Sequence, residues 1–303
     1  MFDLVTVGHF AIDLILSSEI AVPRPTLGGP PTYVSLAARK LGATISVISK
    51  VGKDFSEDYI EWLTANGIDL SGVQRIKNAL TTSFTLKYGN EERQLQLRSR
   101  APPIVPEDVP DSLQAKVIHI APIANELSGD VVDKLRTSAE TLSLDPQGFV
   151  REFDENGNVL LKELKDSHIL EQIDLYKSSL SEIRMVTGST DLRLAMEKIH
   201  DYGVKAVIVT RGVGGSILLH EKRFYEIPAC KPRIIRDLTG AGDALIGAFL
   251  AEHIKGKDGV WCMCVGSAAA SFVVEGIGPA AFGEKKDVYQ RASDLYEKVL
   301  LSY

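Results

Sequence analysis

The sequence predicts an α/β protein in which a parallel sheet carries helices on both faces, and three observations lead to this fold class. Short segments rich in β-branched residues, at 4–8, 45–51 and 206–210, are typical of buried parallel strands. Stretches with helical character lie between them, and such alternation favours a parallel sheet flanked by helices. The segment 82–98 differs, because apolar and polar residues alternate along it, which indicates a half-exposed hairpin.

The N-terminal part of the chain contains both strands and helices. Gly42 and Gly67 are positioned to end two of the helices. In chain order, the predicted elements are a strand at 4–8, a mixed apolar strand at 12–22, a turn at 23–31, a helix at 33–41, a strand at 45–51 and a helix at 55–66.

The half-exposed hairpin interrupts this alternation. Its strands cover 82–88 and 93–98, and Gly89 opens the turn between them. Together with residues 13–22, the hairpin is expected to form a small sheet that covers a site. The chain is therefore predicted to be one domain, 1–303, with a lid formed by about 13–25 and 80–100.

The alternation of strands and helices resumes after Lys116, and the C-terminal third is mainly helical. The predicted strands are 117–120, 142–145 and 206–210, and the predicted helices are 128–139, 190–202, 241–255, 259–275 and 285–300.

The composition limits the classes of function. The chain has 303 residues, of which 45% are hydrophobic and 24% charged, enough to bury the core of a large α/β domain. The net charge of −6 gives no support to binding of nucleic acids or anionic membranes, because both require a basic surface. We therefore expect small-molecule partners, with no nucleic acid and no membrane.

Cysteine usage and the N-terminal pattern indicate a reducing compartment. An odd, low number of cysteines, three in all, argues against a disulfide framework. Cys262 and Cys264 lie in an apolar run and are expected to be buried thiols. The N-terminus lacks a basic region followed by a long apolar stretch, and no run of about 18 apolar residues occurs. We expect a cytoplasmic protein.

The segment from Asp237 to Asp243, Asp-Leu-Thr-Gly-Ala-Gly-Asp, is the strongest candidate for chemistry because it leads into a long apolar helix through three small residues. Backbone N–H groups at a helix start have no intrahelical partner, and the helix dipole favours negative charge there. Small side chains let an anion approach those groups. Asp243 could then take a proton from an attacking hydroxyl. The alternative is an ordinary small-residue helix start, and no Walker-type Gly-Lys-Ser/Thr follows.

This segment resembles the C-terminal signature of the ribokinase-like (PfkB) carbohydrate kinases. The resemblance implies a Rossmann-like domain of parallel strands flanked by helices with a small β-lid. It also implies transfer of the γ-phosphoryl group of ATP, with Mg²⁺, to an alcohol. By the same resemblance, Asp243 is the catalytic base, and Gly240, Ala241 and Gly242 form the anion hole.

Other short segments resemble the family in matching order along the chain. The site residues that this comparison implies are Asp13, which grips the substrate, the diglycine Gly28-Gly29, the nucleotide-loop residues Thr210, Arg211, Gly212 and Gly215, and Glu182, which organises Mg²⁺ and phosphate. A carboxylate at Asp13 suits a polyol because it accepts two hydroxyl protons at once.

Several positions depart from the usual family pattern. Tyr33 and Ser179 stand where the family usually has asparagine, and Asp-Pro-Gln-Gly-Phe at 145–149 replaces Asp-x-Asn-x-Arg. The diglycine segment ending at Tyr33, together with 100–104 and 145–149, is similar to a branch that includes archaeal myo-inositol kinases. A myo-inositol-like substrate is therefore favoured.

Three further residues are expected to bind that substrate: Arg100, Asp145 and Gln147. Arg100 could instead be a surface charge that ends the hairpin. As a fork-shaped donor, its guanidinium group could also bind hydroxyls or a phosphate.

Two rival functions stay open at this point. A nucleoside kinase of the same family would need aromatic residues to stack a base, and Tyr33, Phe84 and Tyr88 could supply them. A non-catalytic ligand-binding regulator is the second rival, although Asp243 and the intact Gly-Ala-Gly count against it. Dependence on a monovalent cation is possible, and a free lid edge could pair two copies into a homodimer.

Overall fold

The computed structural model describes residues 1–16, 25–88 and 93–300. Its strands are β1 (Phe2–Val7), β2 (Ala11–Leu16), β3 (Pro25–Gly28), β4 (Ile45–Gly52), β5 (Ile68–Ile76), β6 (Thr82–Tyr88), β7 (Arg93–Ser99), β8 (Ala115–Ile120), β9 (Ala139–Leu144), β10 (Arg151–Phe153), β11 (Val159–Leu161), β12 (Leu175–Ser179), β13 (Ala206–Thr210), β14 (Ser216–His220) and β15 (Arg223–Ile227). Its helices are α1 (Pro30–Lys40), α2 (Glu57–Ala65), α3 (Gly129–Arg136), α4 (His168–Glu171), α5 (Leu180–Thr187), α6 (Leu192–His200), α7 (Ala241–His253), α8 (Gly259–Val273) and α9 (Lys285–Leu300).

A nine-stranded sheet forms the centre of the fold. Its strand order is β15-β14-β13-β12-β9-β8-β1-β4-β5. Neighbouring strands are parallel from β13 to β5, whereas β14 and β15 are antiparallel to their neighbours at one end. The carboxyl ends of the parallel strands therefore lie along one edge, where α/β proteins bind their ligands.

Successive residues of the central strand face opposite sides of the sheet. Leu4 packs into a core with α1, α7 and α8, whereas Val5 packs into a second core with α3, α5 and α6. Both side chains are fully buried. This alternation shows that helices cover both faces, as the period of a strand requires. The predicted α/β fold class is confirmed.

A separate four-stranded sheet has the order β3-β2-β6-β7. Strand β2 is parallel to β6, and the other two pairs are antiparallel. The predicted lid segments supply these strands, but residues 17–24 and the predicted turn at 89–92 lie outside the described part of the chain. The role of this sheet as a lid stays a prediction.

The short hairpin formed by β10 and β11 docks on the outer edge of β7. The Leu97 N–H donates to the Gly157 carbonyl at 2.7 Å, and Gln96 forms an isolated bridge with Asn158. A homodimer through a free lid edge was predicted. At residues 96 and 97, however, the β7 edge is already paired with residues 157 and 158 of the same chain.

The third predicted helix and the following strand differ from the structure. The helix predicted at 128–139 ends at Arg136, and β9 begins at Ala139 instead of residue 142. Strand β9 pairs with β8 from Ala139 onwards, opposite Ala115. Sheet pairing therefore outweighs the helix propensity of Ala139 and Glu140.

The C-terminal helices agree with the prediction to within two residues at their ends. Cys262 and Cys264 are buried and make no disulfide, and burial raises the pKa of the Cys264 thiol to about 12. Within the described ranges, no helix is long and apolar enough to span a bilayer.

Close contact between α1 and α7 leads to a stability prediction. A Cβ added at Gly247 would lie 2.4 Å from the Val34 carbonyl oxygen, so Gly247→Ala should force the two helices apart. We expect a loss of about 1–3 kcal/mol in the free energy of unfolding, measured by urea denaturation. The control is Gly259→Ala at the start of α8, where the nearest atom is a movable leucine methyl at 3.2 Å. Equal stability of the two variants would contradict the proposed contact.

Candidate active site

A cavity of about 760 Å³ lies at the carboxyl edge of the parallel strands, with the small sheet on its other side. Strand β2 contributes Asp13 and β6 contributes Phe84, while Gln147 follows β9 and Asp243 belongs to α7. The cavity thus joins residues that are more than 200 positions apart in sequence. This convergence makes it the candidate active site.

The turn before α7 is fixed by the buried carboxylate of Asp237. This carboxylate accepts hydrogen bonds from the Thr239 N–H at 2.9 Å and from the Gly278 N–H at 3.0 Å. Gly240 follows with a left-handed φ of 76°, and an added Cβ would lie 2.2 Å from the Tyr33 ring. Only glycine fits at this position, so Tyr33 of α1 packs directly on the start of α7.

The first turn of α7 faces the cavity. Gly240, Gly242 and Asp243 line it, and Ala241 lies in the same turn. The N–H groups of such a turn have no intrahelical acceptor, and the dipole favours an anion there. The half-buried carboxylate of Asp243 stands beside that anion position. The arrangement can hold a phosphoryl group and accept a proton next to it.

The carboxylate of Asp13 borders the cavity from β2, and it is 6% exposed. Gly28 lies beside it: an added Cβ there would be 2.0 Å from Asp13 Oδ2. The first glycine of the pair thus leaves room for the carboxylate itself. Gly29 lines the cavity at the start of α1, where its φ of 83° favours glycine.

Of the two predicted substrate residues Asp145 and Gln147, only Gln147 lines the cavity. The buried carboxylate of Asp145 instead binds the ammonium group of Lys177, with 2.6 Å between Oδ2 and Nζ. Lys177 itself borders the cavity from β12 and was not among the predicted site residues. The sequence contains little signal for it, because the strand Leu175–Ser179 reads Leu-Tyr-Lys-Ser-Ser and its burial is visible only in the structure.

Burial by itself would lower the pKa of Lys177, because it disfavours the charged ammonium. The carboxylates of Asp145, Asp243 and Glu182 outweigh this effect and raise the pKa of Lys177 above its ordinary value. Lys177 is therefore a permanent cation at neutral pH. It supplies positive charge to a cavity whose walls carry several carboxylates.

Glu182 lies in the first turn of α5 and borders the cavity. Its Oε2 accepts from the Ser179 N–H at 2.8 Å and from the Ser179 hydroxyl at 2.7 Å. Ser179 caps the helix in return, so the two residues form a capping box. Serine at this family position therefore holds the orientation of Glu182.

The predicted nucleotide loop lies next to this capping box. Thr210 of β13 pairs in register with Ser179 of β12, and the Arg211 N–H donates to the Gly215 carbonyl at 2.7 Å. Gly212 and Gly215 both have positive φ, so glycine is favoured at each. Thr210, Arg211, Gly212 and Gly215 do not line the cavity themselves.

Arg100 lies away from the cavity wall. It is exposed, and its Nη1 donates to the Ala124 carbonyl at 3.1 Å. Arg151 and Asn158 of the β10–β11 hairpin line the cavity instead. The sequence analysis missed this hairpin because two three-residue strands carry almost no periodicity.

Fold and site together define an α/β phosphotransferase that acts on an alcohol group. The family model described as pfkB family carbohydrate kinase matches residues 1–286, and the chain belongs to this family. This result confirms the resemblance drawn from Asp237 to Asp243.

Proteins similar to this chain differ in the acceptors that they phosphorylate. The chain is 31% identical over 284 residues to a cytidine kinase of Thermococcus kodakarensis, with 91% of this chain and 97% of the relative covered. It is 25% identical over 283 residues to an inositol 3-kinase of Arabidopsis thaliana, with 91% and 75% covered. A pyrophosphate-dependent kinase of the ribokinase family, solved with a pyrophosphate analogue and myo-inositol, superposes with a TM-score of 0.81 at 25% identity, over 95% of this chain and 99% of that one.

The contact between Gly28 and Asp13 gives a test of the acceptor side. Gly28→Ala should push the Asp13 carboxylate out of position and raise the KM for the acceptor at least tenfold, because a carboxylate bound to hydroxyls contributes about 1.5–3 kcal/mol. The KM for the phosphoryl donor should change less than threefold. Initial-rate kinetics with each substrate varied in turn give both constants. An unchanged acceptor KM would show that Asp13 does not hold the acceptor.

Proposed function

We propose that this protein transfers the γ-phosphoryl group of ATP to a hydroxyl of a small ring-bearing molecule, with a nucleoside as the best-supported acceptor. The observation that carries the proposal is the position of two carboxylates on one cavity: Asp13 on the small sheet and Asp243 at the bare start of α7. One can bind the acceptor, and the other can activate it.

The proposed chemistry follows from these positions. Asp13 accepts hydrogen bonds from two neighbouring hydroxyls and so orients the acceptor. Asp243 takes the proton of the attacking hydroxyl as the new O–P bond forms. The N–H groups of the first turn of α7 stabilise the charge on the transferring phosphoryl group. The small sheet keeps water away from the donor, which limits wasteful hydrolysis.

The acceptor end of the cavity supports a nucleoside. Phe84 pairs with Asp13 across β6 and β2, so the aromatic ring and the carboxylate are neighbours on the sheet. Leu95 and Val159 add apolar surface, whereas Gln147 and Asn158 offer amide groups. A ribose diol at Asp13 with a base against Phe84 would use both kinds of surface. The identity to a cytidine kinase supports the same acceptor class.

A cyclic polyol is the second candidate, as favoured by the sequence analysis. Myo-inositol also presents neighbouring hydroxyls to a carboxylate, and the solved kinase with a TM-score of 0.81 contains it. The Arabidopsis inositol 3-kinase points the same way. The two candidates differ in how they would contact Phe84. A nucleoside base can stack on the Phe84 ring, whereas a fully hydroxylated ring gains less from that contact.

ATP is the proposed donor, in line with the nucleotide loop around Arg211 and with the kinase family. Mg²⁺ is usually held by one or two carboxylates together with the phosphates of its substrate, and Glu182 on the cavity wall fits that donor set. A bound Mg²⁺ would neutralise charge on the donor phosphates. Pyrophosphate, the donor of the structural relative, is the alternative donor.

The acceptor is best identified with a panel. Purified protein with Mg²⁺ and ATP should convert cytidine or a related nucleoside at least tenfold faster, in kcat/KM, than myo-inositol, ribose or fructose, as measured by ADP release and product mass. Pyrophosphate replaces ATP in a parallel series. Preference for myo-inositol would move the assignment to the second candidate. Binding without any ADP formation would support the non-catalytic regulator.

The base assignment is tested by Asp243→Asn. Loss of a general base should lower kcat about 10²- to 10⁴-fold while the acceptor still binds. The matched control is Asp287→Asn, which changes an exposed first-turn acid of α9 and should leave kcat unchanged. If Asp243→Asn keeps more than a tenth of the wild-type kcat, another group accepts the proton.

A further inference from the structure

Lys177 occupies a position where lysine is rarely found. It lies near the carboxyl end of β12, between two parallel neighbours, and it is only 4% exposed. Asp145 comes directly after β9, and the register of β9 and β12 brings the two residues side by side. The 2.6 Å between Nζ and Oδ2, with Asp145 1% exposed, marks a buried ion pair.

The ammonium group of Lys177 also lies against the start of α7. A Cβ added at Gly242 would be 3.0 Å from Lys177 Nζ and 3.5 Å from its Cε. The N-terminus of a helix carries partial positive charge, so it is an unfavourable neighbour for an ammonium. The lysine and the helix start thus place two positive groups next to each other on the cavity wall. An anion placed between them would remove the conflict.

The hydrogen bonding of Lys177 leaves capacity for such an anion. An ammonium has three N–H donors, and the described part of the chain provides an acceptor for one of them, Asp145 Oδ2. The remaining donors belong to a group that borders the cavity. A phosphoryl group carries oxygens that could accept from them.

We propose that Lys177 is a further catalytic residue, which donates hydrogen bonds to a non-bridging oxygen of the transferring phosphoryl group, and that Asp145 is the positioning residue that aims it. This proposal rests on the phosphoryl transfer proposed above. It gives Asp145 a role different from the substrate contact predicted from the sequence.

A purely structural pair is a weaker explanation of the same geometry. Replacing a buried ion pair by apolar or neutral residues of similar volume is often neutral or stabilising, so stability alone gives little reason for charge here. The lysine of the pair also lies on the cavity wall with Glu182 and Asp243, whose carboxylates raise the Lys177 pKa. A cation at this point would have a direct use when a phosphoryl group occupies the cavity.

The transfer step balances without any change in the protonation of Lys177. The acceptor oxygen forms a bond to phosphorus, the bond from phosphorus to the donor oxygen breaks, and the hydroxyl proton moves to Asp243. Lys177 stays protonated and donates hydrogen bonds to a non-bridging oxygen throughout. Its contribution is electrostatic, of the kind that typically accounts for about 10²- to 10³-fold in kcat.

The decisive experiment compares Lys177→Met with the double variant Asp145→Asn/Lys177→Met. The single change leaves a buried carboxylate without a partner and is expected to destabilise the protein, whereas the double change removes both charges. Steady-state kinetics use MgATP and the acceptor that the wild-type protein converts in the panel. We expect both variants to lose about 10²- to 10³-fold in kcat, with the acceptor KM within threefold of wild type.

Three comparisons complete the design. Lys50→Met breaks a similar pair, with 2.5 Å between Lys50 Nζ and Asp108 Oδ2, away from the cavity, and should keep its kcat. Ethylammonium added to Lys177→Ala should restore part of the lost kcat. Asp145→Asn alone keeps the lysine and should lose less kcat than Lys177→Met.

The kinetic results distinguish a catalytic lysine from a structural ion pair. If the double variant is folded and recovers kcat to within threefold of wild type, the pair is structural and the proposal is overturned. Equal losses in Lys50→Met and Lys177→Met would also overturn it, because the effect would then follow stability. Failure of the wild-type protein to phosphorylate any member of the panel would instead remove the proposed function on which the inference rests.

Discussion

The proposed chemistry depends on the first turn of α7, whose small residues face the cavity at the carboxyl edge of the sheet. Contacts from several other parts of the chain hold this turn in place. Asp237 fixes the preceding turn through Thr239 and Gly278, and the Tyr33 ring occupies the space next to Gly240. Further along α7, Gly247 lets the helix approach the backbone of α1. Small residues therefore serve two purposes in this helix. They open its start to an anion, and they let its body pack closely in the core.

The electrostatics of the cavity depend on groups from separate parts of the chain. Carboxylates at Asp13, Glu182 and Asp243 would repel a phosphorylated donor if nothing opposed them. The start of α7 and the ammonium group of Lys177 provide the opposing charge, and Asp145 keeps that ammonium in place. The capping box of Ser179 and Glu182 uses the same strand end, β12, to orient an acid beside this cation. The end of β12 and the helix turn that follows it thus place both a cation, Lys177, and a carboxylate, Glu182, on the cavity wall.

The sequence predicted the fold class and the family because these depend on local patterns. Strand and helix periodicity identified the layers, and the segment from Asp237 to Asp243 has a fixed order of small and acidic residues. The carboxylates Asp13 and Asp243 could be identified in the same way, and the structure places both on one cavity. Their chemical roles stay predictions.

Other features could not be read from local patterns. The partner of Asp145 is 32 residues away on a neighbouring strand, so only the register of β9 and β12 reveals the ion pair with Lys177. Gly28 was expected among the substrate-site residues, but the group closest to it is the Asp13 carboxylate. The start of β9 at Ala139 depends on pairing with β8, which no single segment specifies. In each case the decisive information is a contact between distant parts of the chain.

The central claim is that the acceptor hydroxyl and the transferred phosphoryl group meet at the first turn of α7. A crystal structure of the protein with its acceptor and a non-hydrolysable ATP analogue tests this claim most directly. The account predicts the reactive hydroxyl about 3 Å from the Asp243 carboxylate, with the terminal phosphate against Gly240 to Gly242. An acceptor bound beyond hydrogen-bond reach of Asp13 and Asp243, or a terminal phosphate away from the start of α7, would contradict it.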